Sequence, residues 1–337
     1  MNTERVRIGQ AGIANHGRTI VNAVRDAGNL QLVSCFDINE SANRSVANEF
    51  DARAAASYDE LVQDSSIDAV VLVTPNHLHA EQVQKAVAAG KHIFVEKPIT
   101  NTVSEAKQTI AACRNAGLTL MVGHNTRRRR VFRRAKSLLS EGRIGTVVGV
   151  EANLSRPAGL QPGLPAWKAD PTKSALLPMM QLGIHFVDTV AYLLGPIARV
   201  SCFAANVAMP GDALDSTSAV LQLESGIPVT LSSYYVSADA YFLRIYGTEG
   251  TIHCSSLKLR LELLQDGELG EVQEEDFSSE GAESFILQMR EFGECILKRM
   301  KPETGGDEGL MALAVIEAMV RSVQTNSIIE LKDILRD

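Results

Sequence analysis

The sequence predicts an α/β protein with two domains: a doubly wound parallel sheet, then an α+β domain with a mostly antiparallel sheet. Three observations support this prediction. At 337 residues, the chain exceeds what one hydrophobic core usually serves. Short apolar runs alternate with helical patterns over the first third of the chain. After about residue 125, strands joined by turn signals replace that alternation, so we expect domains at 1–124 and 125–337.

The first domain is predicted as alternating strands and helices. The strands are expected at 5–8, 30–36, 67–73, 91–95 and 118–122, and the helices at 14–27, 40–50, 79–90 and 103–116. Strands that are apolar throughout are typical of a parallel sheet covered on both faces. Because ligands of such sheets lie beyond the carboxyl ends of the strands, the residues that follow each strand are the candidate site.

The first strand runs into "GQAGIANHG", residues 9–17. A glycine turn before a helix brings backbone N–H groups and the helix dipole to a pyrophosphate. The pattern G-x-G-x-x-G would require glycines where this chain has Ala11 and Ala14. Alanine is an accepted variant at the third position, whereas Ala11 with a glycine beside it is a departure. We predict a cofactor-binding loop formed by Gly9, Ala11, Gly12, Ile13 and Ala14.

Asp37 ends the second strand, in "CFDINE". A carboxylate there can accept hydrogen bonds from both ribose hydroxyls of an adenosine and would repel a 2′-phosphate. Ile38 follows it, and no arginine comes before Arg44. NAD is therefore favoured over NADP, with Asp37 and Ile38 as cofactor contacts. Alternatively, Asp37 caps the helix at 40–50.

Two later strands also end in polar residues. "TPNHLH" (74–79) supplies Thr74, Pro75, Asn76 and His79 as further cofactor contacts. The strand at 91–95 is followed by Glu96, Lys97 and Pro98, so that a Glu-Lys pair lies at the end of a buried strand. Surface charge is rarely placed there, so we expect these residues to face the nicotinamide end of the cofactor. A solvated Glu-Lys pair is the alternative.

The second domain is predicted to contain strands joined by turns such as "ESGIP" and "GTEG". We expect one face of its sheet to pack on helices around 131–141, 181–194 and 283–300, and the chain to end with a helix at 308–324. The other face has no obvious helical cover. Because uncovered sheets commonly form subunit interfaces, a homodimer or homotetramer through this sheet is expected.

The stretch "MMQLGIHFVDTV" (179–190) is apolar apart from a few positions. Gln181, His185 and Asp188 are four and three residues apart, which would place them on one face of a helix. His185 is either a core histidine with a hydrogen-bond partner or a proton-transfer residue that faces a pocket.

Six arginines lie within "HNTRRRRVFRRA" (124–135). One short basic cluster on an acidic protein does not indicate nucleic-acid binding. The cluster is either a solvated helix start with ion pairs to a neighbouring subunit, or it directs Arg127 or Arg128 to an anionic substrate. Asn125 lies in the same segment. The only tryptophan, Trp167, lies with Lys168 in a proline-rich loop, as a lid, a domain anchor or a sugar-stacking wall.

Composition excludes several other classes of protein. The formal net charge of −7 argues against general affinity for nucleic acid. No apolar run is long enough to span a bilayer, and "MNTERVRIG" does not resemble a secretory signal. The five cysteines are scattered and lack a C-x-x-C pair, so neither disulfides nor a metal site are expected. A cytoplasmic protein with no membrane partner fits these observations.

At "AGKHIFVEKPIT" (89–100) the chain resembles the Gfo/Idh/MocA family of NAD(P)-dependent sugar and cyclitol oxidoreductases. "GRIGTVVGV", "WKADP", "QLGIHFVDTVAYLLGP" and "YGTEGTI" follow in the family's order, so the likeness covers essentially the whole chain. The resemblance implies a Rossmann-like domain followed by a domain built on a large, open sheet. It also implies that Lys97 lies beside the nicotinamide, often before a cis proline, and that His185 exchanges a proton with the substrate hydroxyl.

Gln181 stands where many family members have an aspartate, and "ALL" (175–177) replaces the usual glycine run. A carboxylate near the histidine would raise its basicity, whereas Gln181 can only hydrogen-bond. The contacts to a sugar are therefore expected to differ from those of the inositol and glucose enzymes. Asn125, Arg128, Trp167, Lys168, Gln181 and Asp188 are the predicted substrate contacts, and Asp188 could also fix the imidazole.

The resulting prediction is oxidation of a secondary hydroxyl of a sugar, sugar acid or cyclitol by hydride transfer to NAD. His185 acts as acid and base, and Lys97 stabilises the developing oxyanion. Three alternatives stay open. They are a glycosidase that oxidises and re-reduces its sugar, a reductase of an imine, enone or diketone, and an NAD-binding sensor with a silent site.

Overall fold

The computed structural model describes residues 5–336, which form two compact units. The first unit contains the chain up to Asn125 and the segment Ala282–Met311. The second contains Thr126–Gly281 and the chain from Ala312 onward. Residues 1–4, which begin the stretch used to argue against a secretory signal, lie outside the described residues. Among residues 5–336, no helix has both the length and the apolar character needed to cross a membrane.

The first unit is built on a six-stranded parallel sheet in the order β3-β2-β1-β4-β5-β6. Strands β1, β4 and β5 are buried on both faces, which confirms the predicted doubly wound sheet. Its elements up to residue 125 are β1 (Val6–Ala11), α1 (His16–Ala27), β2 (Leu30–Phe36), α2 (Glu40–Phe50), β3 (Arg53–Ala54), α3 (Tyr58–Val62), β4 (Ala69–Leu72), α4 (His79–Ala88), β5 (His92–Val95), α5 (Val103–Asn115) and β6 (Leu120–Val122).

Local sequence explains several of these helix starts. Thr102 accepts a hydrogen bond from the N–H of Glu105, and the Glu105 side chain accepts one from the N–H of Thr102. This capping box begins α5. Ser57 caps the short helix α3 in the same way, by accepting from the N–H of Glu60. Helix α3 and strand β3 lie in a segment for which no element was predicted.

Helix α8 (Glu283–Lys298) belongs to the first unit, although its sequence position suggested the second. It packs on α1, and Phe292 contacts Phe94 of β5 edge to face, with ring centroids 5.9 Å apart. The prediction of one continuous domain over 125–337, with this helix against the second sheet, is therefore wrong. The apolar face of α8 is used by the parallel sheet, and periodicity cannot identify that partner. Helix α9 (Gly306–Thr325) begins in the first unit and continues into the second.

The second unit is built on a nine-stranded sheet in the order β14-β13-β12-β11-β7-β10-β9-β8-β15. Only β10 and β7 are parallel, which confirms a mostly antiparallel sheet. Its elements are α6 (Arg130–Ser140), β7 (Val147–Ser155), α7 (Ile184–Leu194), β8 (Ile197–Ala205), β9 (Ser216–Leu223), β10 (Pro228–Tyr234), β11 (Ala240–Gly247), β12 (Gly250–Ser255), β13 (Lys258–Gln265), β14 (Glu268–Asp276), β15 (Ile329–Glu330) and α10 (Leu331–Arg336).

One face of this sheet packs on α6 and α7, as expected. Alternate residues of β8 and β9 point to the opposite face, where Phe203 is 72% exposed and Val220 is 53% exposed. Strand β14 was not predicted, because "ELGEVQEED" is rich in glutamate and mostly exposed. It is held by hydrogen bonds to β13 at the edge of the sheet, where burial is not required.

Candidate active site

The turn after β1 depends on Gly12. Its φ of +81° is disfavoured for residues with a side chain, and a Cβ there would lie 2.2 Å from the carbonyl oxygen of Val73. Gly9 and Ala11, predicted as part of the loop, instead belong to β1. A Cβ on Gly9 would meet the side chain of Ile67, so that glycine serves packing inside the unit. The loop proper thus begins at Gly12, one residue later than the G-x-G-x-x-G pattern suggests.

Gln10 closes this loop, and its role was not foreseen. Its side-chain amide donates to the carbonyl oxygens of Gly12 and Gly17, at 3.0 and 2.9 Å, from a fully buried position. The contact joins the turn to the first helical residues of α1. A polar residue inside an apolar strand was the available signal, since buried amides need partners.

Asp37 follows β2 and is tied to the same loop. One carboxylate oxygen accepts from the N–H groups of Ile13 and Ala14 at 2.9 and 3.2 Å, and the other accepts from the N–H of Asn39 at 2.9 Å. The alternative that Asp37 caps α2 is wrong, because Asn39 is the cap and accepts from the N–H of Ala42. Ile38 is 92% exposed beside it.

The glycine turn, the start of α1 and Asp37 have the properties that a bound dinucleotide requires. A turn with no room for a side chain lets backbone approach a pyrophosphate, and it leads directly into the N-terminus of α1. A carboxylate stands at the end of the neighbouring strand, where an adenosine ribose is recognised in such folds. The loop and Asp37 therefore fit the adenosine half of NAD.

The segment 74–79 is braced by its own side chains. Thr74 donates to the side-chain oxygen of Gln82 at 2.5 Å, and Asn76 donates to that of Asn101 at 2.7 Å. His79 is fully buried, with its ring nitrogens 2.9 Å from the carbonyl oxygens of Pro98 and Thr74. Burial lowers the pKa of His79 although both carbonyls favour the charged ring. The predicted contact between His79 and a cofactor is therefore replaced by a structural role that joins the ends of β4 and β5.

Glu96 and Lys97 follow β5, and the Lys97–Pro98 peptide is cis, as the family resemblance implied. Glu96 is buried, so the alternative of a solvated pair is wrong for this residue. Its carboxylate accepts from the N–H of Lys97 at 3.1 Å and lies 3.2 Å from Nε2 of His16. Burial raises the pKa of Glu96, but the charge and hydrogen bond of His16, together with Lys97, lower that pKa by a larger amount. The net shift of the Glu96 pKa is therefore downward.

His185 lies in the first turn of α7 and is half-buried. Its Nδ1 is 3.1 Å from the hydroxyl of Thr126, a residue that sequence reasoning did not select. Met179–Gly183, directly before α7, forms a π-helical turn in which the N–H of Ile184 donates to the carbonyl of Met179. Gln181 therefore lies in this π-helical turn and not in α7 itself, and its sharing of one helical face with His185 stays a prediction. Such turns are frequent at functional sites.

Asp188 is buried and is engaged by an arginine. Both of its carboxylate oxygens accept from the guanidinium of Arg127, at 2.9 and 2.5 Å. The Arg127 guanidinium also lies 5.2 Å from the centre of the Tyr192 ring. This buried bidentate pair rules out Arg127 as part of a solvated helix start. The contacts of Asp188 with substrate or with the imidazole stay predictions.

The other predicted substrate residues have separate environments. Arg128 is among the largest fully buried side chains, which does not fit a solvated surface. Asn125 is buried in the first unit and donates to the hydroxyl of Ser284 at 3.1 Å. Lys168 lies with its ammonium 5.6 Å from the Trp167 ring in a single 3₁₀ turn, and burial lowers the pKa of Lys168. Among residues 5–336, no group of His, Cys, Asp and Glu side chains could hold a metal ion.

The parallel sheet and its glycine turn are those of a dinucleotide-binding oxidoreductase fold. Residues 6–124 match the model described as "Oxidoreductase family, NAD-binding Rossmann fold", and residues 132–253 match the C-terminal domain model of the same family. The two models together cover most of the chain. The chain belongs to the Gfo/Idh/MocA oxidoreductase family, and it is an NAD-binding oxidoreductase.

Individual relatives are more distant. The 1,5-anhydro-D-fructose reductase of Ensifer adhaerens is 25% identical over 322 residues, which cover 93% of this chain and 94% of the reductase. The inositol 2-dehydrogenase of Rhizobium meliloti is 28% identical over 327 residues, covering 94% and 97%. The crystal structure of an NAD-binding oxidoreductase from Klebsiella pneumoniae superposes with a TM-score of 0.87 at 22% identity, covering 97% and 99%.

Proposed function

We propose that this protein is an NAD-dependent dehydrogenase that oxidises a secondary hydroxyl of a sugar, sugar acid or cyclitol. The observation that carries the proposal is the pair of residues that match the family's reactive positions, Lys97 after β5 and His185 in α7. Two full-length relatives with sugar or cyclitol names, a fructose-derivative reductase and an inositol dehydrogenase, support the substrate class.

The protein's own residues hold the reactants and move one proton. His185 takes the proton of the substrate hydroxyl, because a neutral imidazole with a reference pKa of roughly 6.5 is a suitable base at neutral pH. Lys97 donates a hydrogen bond to the same oxygen and stabilises its developing negative charge. Bound NAD would supply the acceptor for the hydride that leaves the carbinol carbon. Gly12, Ile13, Ala14 and Asp37 hold the adenosine half.

Substrate contacts are proposed for Gln181, Trp167 and Lys168. Gln181 lies in the π-helical turn that precedes His185, and its amide can both donate to and accept from a hydroxyl. Trp167 offers a ring for a sugar to stack on. Burial removes solvent from the Lys168 ammonium and so lowers its pKa, and a substrate oxygen could replace that lost solvation. Asn125 and Arg128, both buried, are also proposed as substrate contacts.

The test is a substrate panel with two readouts. Purified protein is incubated with NAD or NADP and a set of inositols, aldoses and sugar acids. NADH is followed by absorbance, and the organic product is identified by mass spectrometry. A ketone or lactone formed in equal amount with NADH is expected. Conversion of a sugar without net NADH would replace the dehydrogenase with a redox-neutral enzyme, and no conversion of any member would contradict the substrate class.

We further propose that the uncovered face of the nine-stranded sheet joins subunits into a homodimer or homotetramer. Phe203 and Val220 supply exposed apolar surface on that face. Replacing Phe203 with aspartate should shift the mass measured by light scattering toward the monomer, whereas the exposed Leu160, outside the sheet, serves as a matched control. A monomeric wild-type protein would contradict this proposal. A cytoplasmic location is the remaining prediction, for cell fractionation to check.

A further inference from the structure

His16 is a titratable residue at the start of a helix, beside the proposed dinucleotide loop. It is the first residue of α1, immediately after the glycine turn. Its side chain is 49% exposed, while the side chain of its partner Glu96 is only 8% exposed. Nε2 of His16 lies 3.2 Å from Oε1 of Glu96, although 80 positions separate the two residues. The imidazole therefore connects the loop after β1 to the residue that precedes Lys97.

The ring of His16 has a defined orientation. Phe285 of α8 contacts it edge to face, with the ring centroids 5.6 Å apart. On the other side of the pair, Glu96 is confined by Gly123, since a Cβ at that glycine would lie 2.8 Å from the carboxylate. Glu96 also accepts from the N–H of Lys97. A histidine held by an aromatic ring and a buried carboxylate has little rotational freedom to lose when it binds a ligand.

The buried carboxylate of Glu96 needs a partner for its charge. A buried carboxylate is costly unless a cation or several hydrogen bonds accompany it. Within hydrogen-bonding distance of Glu96, the described contacts are the backbone N–H of Lys97 and the ring of His16. The first turn of α1 contains no acidic residue, so nothing there opposes the positive end of the helix dipole, which favours a bound anion.

We propose that His16, held as an imidazolium by Glu96, binds the diphosphate of the dinucleotide. The inference rests on the dinucleotide site of the proposed function and adds a side-chain cation to its backbone N–H groups. A diphosphate is the anion that such a glycine turn and helix start receive. His16 is thus a specific ligand for the phosphates and, through Glu96, links their binding to the strand end that carries Lys97.

The assignment is tested by binding measurements on ligands that contain or lack the diphosphate, without an activity assay. Affinities of NADH, ADP-ribose and adenosine are measured by calorimetry, with adenosine measured by displacement of NADH. His16→Gln should weaken the binding of NADH and ADP-ribose on the order of tenfold to a hundredfold, as expected for the loss of a hydrogen bond to a charged group. The affinity for adenosine should be unchanged. His16→Lys, which keeps the charge, should recover most of the ADP-ribose affinity. Glu96→Gln should weaken ADP-ribose, and adding His16→Gln to it should cause little further loss.

His92→Gln is the matched control. His92 is also a partly buried histidine of the first unit, but it begins β5, at the amino end of the strand that Glu96 follows. This variant should bind all three ligands like the wild type. Unchanged ADP-ribose affinity in a folded His16→Gln protein would overturn the assignment, as would a loss confined to NADH, which would move the contact to the nicotinamide half. A wild-type protein that binds neither NADH nor ADP-ribose would overturn the proposed function itself.

Discussion

The hydroxyl of Thr126 lies 3.1 Å from Nδ1 of His185. One turn further along α7, Asp188 accepts two hydrogen bonds from Arg127, the next residue of the same segment. The 3₁₀ turn Thr126–Arg128 is thus attached to α7 at two consecutive points. In the proposed enzyme, the hydroxyl of Thr126 helps to fix the orientation of the imidazole.

Replacing Thr126 with valine removes the hydroxyl and nearly preserves volume. We expect kcat to fall about fivefold to tenfold, since a neutral hydrogen bond contributes about 1 kcal/mol. KM should change little. Steady-state kinetics on the substrate found by the panel measures both, and Thr126→Ser, which retains the hydroxyl, should behave almost like the wild type. Equal loss in the serine and valine variants would show that the methyl packing matters instead.

His185→Ala and Lys97→Met should each lower kcat by at least about a hundredfold, because they remove the proposed base and the oxyanion donor. NADH affinity should stay close to that of the wild type in His185→Ala. Kinetics and calorimetry on the same preparations check the two expectations. His253→Ala, on β12 and bonded to Glu262, is the control and should retain full turnover. Retention of most activity in either test variant would refute the assigned role.

Asp37→Ala should weaken the binding of NAD about tenfold, as for a lost hydrogen bond, and reduce the preference for NAD over NADP. The variant loses both the ribose acceptor and the oxygen that accepts from Ile13 and Ala14 in the loop. Affinities for both cofactors measure the effect. Asn39→Ala provides the comparison, since it removes the cap of α2 at a cost of about 1 kcal/mol in stability but should leave cofactor preference unaltered. A shift of preference in Asn39→Ala alone would reverse the two assignments.

Asp188→Leu should lower the free energy of unfolding by about 3–5 kcal/mol, because it removes the buried carboxylate with which Arg127 is paired. The double variant Arg127→Met with Asp188→Leu should be more stable than Asp188→Leu, since it buries no lone charge. Urea unfolding followed by circular dichroism gives both values. If the double variant were the less stable of the two, Arg127 would be held chiefly by its other contacts.

Asp215 predicts a pH dependence of stability. Its buried carboxylate accepts from the N–H groups of Val207, Ala208 and Met209 at 2.9, 2.8 and 2.7 Å. Burial raises the pKa of Asp215, but the hydrogen bonds, of which that from Met209 has the largest effect, lower it by more. The folded-state pKa of Asp215 therefore lies below the ordinary value. The contribution to stability is therefore present above the unfolded pKa of about 3.9 and is lost as the pH falls through the folded pKa.

Asp215→Asn should accordingly be less stable than the wild type by about 1–3 kcal/mol at pH 7, with the difference shrinking below about pH 4. Urea midpoints measured between pH 7 and pH 3 give this difference. Asp212→Asn, in the same loop, is the control, because its carboxylate accepts none of these three N–H groups. A difference that stayed constant down to pH 3 would mean that the negative charge of Asp215 is not what the loop requires.

Much of the first unit could be predicted from sequence. Strand β2 and helix α2 have the bounds that were predicted, because apolar runs and helical periodicity are local properties. The positions of the glycine turn, Asp37 and Lys97 at strand ends could also be predicted, since strand–helix alternation places strand ends together. Local pattern failed for β14, whose charged residues are mostly exposed, and for α8, whose partner sheet lies more than 160 positions away in sequence.

Sequence by itself determined the two kinds of sheet, the family and the positions of the two proposed reactive residues, Lys97 and His185, because each depends on patterns within short segments of the chain. Only the tertiary structure decided that His16 meets Glu96, that Thr126 meets His185 and that Asp188 belongs to Arg127. Those partners are 80, 59 and 61 positions apart. Buried polar groups must find a partner, but which one they find is set by the packing of the chain.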